Sequence, residues 1–294
     1  MIDSAKFTHV NGTVITLNDL TTGLPFSNFV MDVDIRSDEN DRPQEHGIWP
    51  AQQYFGKRKI SIEGSILGSD YGPFNTTVRN LMAAVLPDPD SGSAASGVLE
   101  LQFTGMSEAV VIQCTVDGYP QIPLDATEGA YAKYQLNFKA FDPRFYGKVS
   151  SHVTTTVSTA PVGRTFAQTF NQTYAAVTFS GDQAVVNNAG NYPTWGQVFI
   201  YGPGDSPQLW KYNADGSISK VILNGLVLPT TTDYVYLDFR DRTALLNGVT
   251  NAYNYAVGST WFHYAKGNNT VRTVWKSYQA GAHVDYYWQN AYML

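Results

Sequence analysis

The sequence predicts a mostly β protein of two domains: an α+β N-terminal domain over 1–147, with one short helix on a β-sheet core, and a C-terminal β-sandwich over 148–294, jelly-roll or galectin-like. Three observations carry this. Apolar and polar residues alternate at period 2 along most of the 294 residues. One segment in the first half switches to helical spacing. Past residue 165 short strand-like runs recur between turn residues, the mark of a sandwich.

Each element follows from its own residues. Val14 to Leu17, Phe29 to Ile35, Lys59 to Ile66, Val98 to Phe103, Val110 to Val116 and Tyr134 to Phe138 alternate and are bounded by Gly, Pro, Asn or Asp. In Phe74 to Leu86 the apolar positions 74, 78, 81, 82, 85 and 86 share one helical face; Pro73 suits the first turn and Pro87 stops it. Asp88 to Gly97 is a polar loop expected to be mobile. Phe141 to Gly147 closes the first domain, and Ser150 to Thr159 leads onward as an extended segment. The second domain is expected to hold no helix. Its strands are predicted at Ala175–Phe179, Gln197–Tyr201, Gln208–Tyr212, Ile218–Leu223, Val235–Asp238, Thr243–Asn247, Trp261–Tyr264, Thr270–Trp275 and His283–Trp288, with Asn224-Gly225 and Asn247-Gly248 among the turns.

Charge is uneven along the chain. Up to Gly147 there are 18 acidic and 10 basic side chains, a net of −8; from Lys148 onward there are 7 and 9, a net of +2. An acidic first half argues against sequence-specific nucleic-acid binding, which needs clustered Lys and Arg. Only Lys57, Arg58 and Lys59 come close, inside a strand-like run. The N-terminus has no charged-then-apolar leader pattern, so synthesis in the cytoplasm is expected. No apolar run approaches the ~18 residues that span a bilayer, so no membrane insertion is expected.

Catalytic and cofactor chemistry finds few candidates. The lone cysteine, Cys114, excludes a disulfide within the chain and reads as a buried, inert thiol. His9, His46, His152, His263 and His283 are scattered without metal-ligand spacing. Asp182, Asp205, Asp215 and Asp233 sit in turn settings, the usual place of a solvated aspartate, and Asp238 to Arg242 reads as a salt-bridged hairpin. The expectation is no enzyme, no catalytic residue, no metal and no cofactor. Five of the six tryptophans fall in the second half. Trp261, Trp275 and Trp288 alternate in phase with apolar neighbours and read as core. Trp195, Tyr201, Trp210 and Tyr212 are less committed and are candidates for contact with a glycan or a partner.

One constellation is specific in its order. The acidic loop Ile35-Arg36-Ser37-Asp38-Glu39-Asn40-Asp41-Arg42-Pro43 precedes Gly56-Lys57-Arg58-Lys59-Ile60-Ser61-Ile62-Glu63-Gly64-Ser65-Ile66-Leu67-Gly68. The helix follows, then Val98 to Phe103, then a sheet-closing run from Tyr134 to Phe141-Asp142-Pro143-Arg144-Phe145-Tyr146-Gly147. In the second half, Asn188 to Trp195 and Gly258 to Asn269 supply an N-x-G-x-x-P entry and a glycine-asparagine hairpin. Together these resemble the distal tail protein (Dit) family of long-tailed, siphovirus-type phages, over nearly the whole chain.

That resemblance implies a virion structural protein at the distal end of a phage tail. It would form a ring, normally a homo-hexamer, acting as a baseplate hub. The ring joins the tail tube protein to tail-tip hub or tail-associated proteins, with the tape measure protein and receptor-binding fibres as further partners. Heterologous contacts of this kind turn exposed strand edges into joints. Asp32, Asp34, Asp38, Glu39, Asp41 and Glu45 are then candidates to line a lumen through which DNA slides, since like charges repel; an ordinary solvated acidic loop is the alternative. Two rivals to the hub remain: a glycan-binding sandwich aiding adsorption to the host wall, and a sandwich hydrolase.

Overall fold

The computed structural model describes residues 2–19, 21–37, 40–41, 48–49, 52–86, 97–123, 130–156 and 183–294. Ala175–Phe179 and nearly all of Asp88–Gly97 lie outside these residues. The chain divides into two units, Met1–Lys148 together with Met293–Leu294, and Val149–Tyr292.

The first unit is built on strands β1 (Ile2–His9), β2 (Val14–Leu17), β3 (Phe26–Arg36), β4 (Tyr54–Leu67), β5 (Gly97–Phe103), β6 (Val110–Val116), β7 (Tyr131–Ala140) and β8 (Phe145–Gly147). They run in the order β2-β1-β5-β6-β7-β4-β3, each pair antiparallel, with β8 beside β6. β1 was not foreseen; its alternation is carried by Ala5, Phe7 and His9, all buried. β3 ends the sheet order. Helix α1 (Tyr71–Val85) starts where Asp70 accepts a bond from the Gly72 amide at 2.8 Å. Phe74, Leu81, Ala84 and Val85 are its buried residues, and it packs on β1, β2 and β4.

Period 2 explains the longest strand. In β4, Gly56, Arg58, Ile60, Ile62, Gly64 and Ile66 are buried while Lys57 and Lys59 face out. The basic cluster of the sequence is thereby split, one side chain into the core and two into solvent. Gly64 and Gly68 have a steric reason. A Cβ on Gly64 would collide with the Pro25 carbonyl and the Tyr134 ring, and one on Gly68 with Phe74.

The second unit is a sandwich of two antiparallel sheets. The first holds β9 (Ser151–Thr156), β17 (His283–Trp288), β11 (Gly196–Tyr201), β14 (Tyr234–Asp238) and β15 (Thr243–Leu246) in that spatial order, with the short strand Thr250–Asn251 at its end. The second holds β10 (Gln183–Asn188), β16 (Gly267–Val274), β12 (Gln208–Tyr212) and β13 (Ile218–Ile222). Val198, Ile200, Leu209, Val221, Leu237, Val271 and Val284 are fully buried between them. The Tyr286 and Thr273 hydroxyls, one from each sheet, are hydrogen-bonded at 2.8 Å in that core.

Two expectations for this unit are corrected. Trp261–Tyr264 is not a strand but an irregular segment with a single bridge from Thr194 to Tyr264. Consecutive rings defeat the alternation there: Phe262 is buried on Phe239, and its neighbour Trp261 also packs against the core. The unit also contains a short 3₁₀ turn, Tyr253–Ala256, whose Tyr253 ring stacks parallel to Trp261.

Candidate functional site: the hairpin and the sandwich faces

The acidic candidates of the first unit centre on the β3–β4 hairpin. Asp34 stands 4.0 Å from Lys57 Nζ and 3.8 Å from Lys59 Nζ, and Asp32 is paired in register with Lys59. The two ammonium groups offset the two carboxylates here, while Arg36 and buried Arg58 of the same paired strands add positive charge. Asp41 lies in a short ladder, Asn40–Asp41 against Ile48–Trp49. Asp38, Glu39 and Glu45 lie outside the described residues. Beside the charged pairs, Val30, Ile35, Tyr54 and Phe55 are exposed. These apolar side chains mark a surface that water solvates poorly.

The four aromatic candidates of the sandwich do not converge. Trp195 packs against the core with its ring edge-on to His263 at 5.6 Å. Trp210 and Tyr212 stand two residues apart on β12, on the outer side of the four-stranded sheet. Lys220 Nζ lies 4.1 Å above the Trp210 ring, and the indole N–H donates to Gln208 Oε1 at 3.0 Å. Tyr201 belongs to the other sheet.

Around Tyr201 the register assembles a surface that the sequence reading missed. Across β17, β11 and β14, His283 pairs with Tyr201 and Tyr201 with Tyr234; Asp285 pairs with Phe199 and Phe199 with Tyr236; Tyr287 pairs with Gln197 and Gln197 with Asp238. β9 adds Thr154 opposite Asp285 and His152 opposite Tyr287. Phe199 sits at the centre, its ring 4.9 Å from Tyr236, 5.7 Å from Tyr234 and 5.7 Å from Tyr287. Two histidines stack on tyrosines at its margins, His283 on Tyr201 and His152 on Tyr287, each at 4.4 Å between centroids. The rings of Phe199, Tyr201, Tyr234, Tyr236, His283 and Tyr287 are half-buried and His152 is exposed, whereas Val198, Ile200, Val235, Leu237 and Val284 of the same strands are fully buried beneath.

Polar groups are fixed within this face. Asp238 Oδ2 accepts from Tyr236 Oη at 3.0 Å and Gln197 Nε2 at 2.9 Å, while its Oδ1 accepts from the Arg240 and Asp241 amides. Asp285 Oδ1 accepts from Thr154 Oγ1 at 2.6 Å and lies 3.4 Å from His152 Nε2. Burial, then the Asp238 hydrogen bond and charge, push the Tyr236 phenol up; burial and the Asp285 charge do the same for Tyr201. Both remain neutral donors at ordinary pH. A signal for this surface was present as Gln-x-Phe-x-Tyr and His-x-Asp-x-Tyr in two predicted strands and Tyr-x-Tyr-x-Asp starting one residue before a third, but only their pairing makes it one face.

Burial pushes the Cys114 thiol up to about 12. The Asp215 and Asp233 carboxylates are held low by hydrogen bonds within their turns, from Ser217 and Thr230 respectively. Among the described residues no group of three or more His, Cys, Asp or Glu side chains is arranged to hold a metal ion.

No protein-family model matches the sequence, and no curated protein does. Solved structures do match. SPP1 Dit, described as a paradigm of the hub adsorption apparatus of phages infecting Gram-positive hosts, aligns over 97% of both chains with a TM-score of 0.61 at 10% identity. The fold is that of phage Dit. A chain of the phage P2 baseplate, in its activated conformation with Ca, aligns over 98% of this chain and 97% of its own length, with a TM-score of 0.50 at 9% identity. The Dit fold thus extends over both units, although nine residues in ten differ.

Proposed function

We propose that the chain is a structural subunit of a long-tailed phage, forming a homo-hexameric ring hub at the distal end of the tail. The observation that carries this is the Dit fold over both units, since this chain and SPP1 Dit align over 97% of each. The ring joins the tail tube protein to tail-tip hub or tail-associated proteins, and the tape measure protein and receptor-binding fibres are further partners. The exposed Val30 and Ile35 on the terminal strand β3, with Tyr54 and Phe55 on its neighbour β4, support self-assembly, because apolar side chains at a sheet edge gain from being covered by a neighbour. In this reading Asp32, Asp34, Asp38, Glu39, Asp41 and Glu45 border the lumen for DNA. Lys57 and Lys59 offset Asp32 and Asp34 there, so any repulsion of DNA comes from the loop carboxylates.

Mass photometry of the purified protein over a concentration series, with negative-stain images, tests the reading. Rings near six times the 32.4 kDa of one chain support it. Closed dimers or trimers without a central hole count against it, as does a protein that stays monomeric even with tail tubes added. Val30→Glu with Ile35→Glu should abolish ring formation while leaving the melting temperature within a few degrees, because both side chains are already in solvent.

A further inference from the structure

We propose that the outer face of the six-stranded sheet, centred on Phe199, binds a neutral polysaccharide. The face spans four strands and three outward positions on each, about 14 Å in either direction at ordinary strand spacing. A pyranose chain presents two kinds of surface, apolar C–H faces and hydroxyl edges. Aromatic rings satisfy the first, and Phe199, Tyr201, Tyr236 and Tyr287 provide them side by side. Carboxylates satisfy the second, because an ionised Asp only accepts and a sugar hydroxyl donates. Asp285 retains capacity for this, as its two contacts both fall on Oδ1.

Charge selects the class of ligand. The outward positions on β9, β17, β11 and β14 carry two aspartates and no lysine or arginine. An anionic chain, such as a phosphodiester polymer or a uronate, meets repulsion from these aspartates with no lysine or arginine beside them to offset it. A protein partner would also value the aromatics, yet the carboxylates locked among rings by Gln197, Tyr236 and Thr154 suit a ligand rich in hydroxyl donors. The ring hub is neither required for this site nor tested by it.

The experiment is calorimetric titration of the full chain with maltohexaose, cellohexaose, chitopentaose and, as the anionic control, polygalacturonate. Saturable binding of at least one neutral oligosaccharide is expected, with no binding of polygalacturonate. Tyr201→Ala and Tyr287→Ala should each weaken it tenfold or more, and Asp285→Asn severalfold, in variants whose circular dichroism matches the parent. Tyr119→Ala, exposed in the first unit, should change nothing. Should an alanine variant misfold, the unaltered protein still decides: the ring-proton resonances of His152 and His283 move on titration while that of buried His9 does not. The proposal is overturned by no neutral binding at millimolar sugar, by binding that ignores both tyrosine variants, or by preference for polygalacturonate. Any of these would leave the face to a protein partner.

Discussion

Arg58 Nη1 donates to the carbonyl oxygen of Leu294 at 2.9 Å, joining residues 236 positions apart in the chain. The guanidinium is otherwise enclosed. Its Nε donates to the Pro143 carbonyl at 2.7 Å, Nη2 faces Met293 Sδ at 3.4 Å, and its carbon lies 4.8 Å over the Phe145 ring. Only 1% of Arg58 is exposed. A buried cation without partners would be prohibitive, so the two carbonyls and the ring are what permit it.

Arg58→Ala should therefore destabilise the first unit by about 2–4 kcal/mol: two charged-donor hydrogen bonds, each worth ~1.5–3, and the filled volume are lost, while the cost of burying the cation is recovered. That corresponds to a fall in melting temperature of about 5–15 °C for a unit of this size. Removing Met293 and Leu294 should cost less, and the combination should be less than additive, because both changes break the same two contacts. Arg58→Lys should rescue little, as an ammonium cannot reproduce the fork of donors. Differential scanning calorimetry checks this; a shift below 1 °C for Arg58→Ala would refute it.

Gly64→Ala should destabilise the same unit by about 1–3 kcal/mol, the usual cost of overpacking a close-packed site. The new methyl group meets a backbone carbonyl, Pro25, and the ring of buried Tyr134, neither of which is the free end of a flexible chain. Chemical denaturation should show a lower midpoint with an unchanged slope. By contrast Gly12→Ala has open space around it and pays only for its positive φ of 87°.

Cys114 should resist alkylation in the native state. It is fully buried, and its thiol is pushed up to about 12, so almost no thiolate exists at pH 8. Iodoacetamide labelling followed by mass spectrometry should show a rate that rises with guanidinium in step with unfolding. Fast labelling of the folded protein would contradict the packing described.

Stability should fall in acid, and the sign follows from Asp142. Burial pushes its carboxyl up, but hydrogen bonds and charge from Arg144, with a hydrogen bond from Tyr146, outweigh this and hold it below the ordinary value. A depressed folded-state value adds stability above the unfolded-state value of ~3.9, and that stability is lost as pH falls through the folded value. The melting temperature should thus be flat from pH 7 to 5 and decline below about 4. Asp142→Asn should lower it at pH 7 and flatten the acid limb; an unchanged acid limb would rule out this pair as a contributor.

Much of the fold is legible in residue order alone. The alternation from Lys59 to Ile66 and from His283 to Trp288 becomes strands, and Pro73 lies in the first turn of the helix. The failures have local causes. Trp261 and Phe262 are adjacent and both turn to the core, which no period-2 pattern anticipates. The 3₁₀ turn at Tyr253 is four residues long, too short to register a helical period.

The sequence by itself determined which residues alternate, and therefore which side chains share a side of each strand, because that follows from backbone geometry within one strand. It separated Arg58 from Lys57 and Lys59 for the same reason. Only the tertiary structure decided which strands are neighbours. Tyr201 and Trp210 read alike in the sequence, yet they fall on different sheets. Phe199, Tyr236 and Asp285 come from three distant segments and meet on one face. Strand order and register are set by how two whole sheets bury their inner faces against each other, a long-range condition that no local run of residues contains.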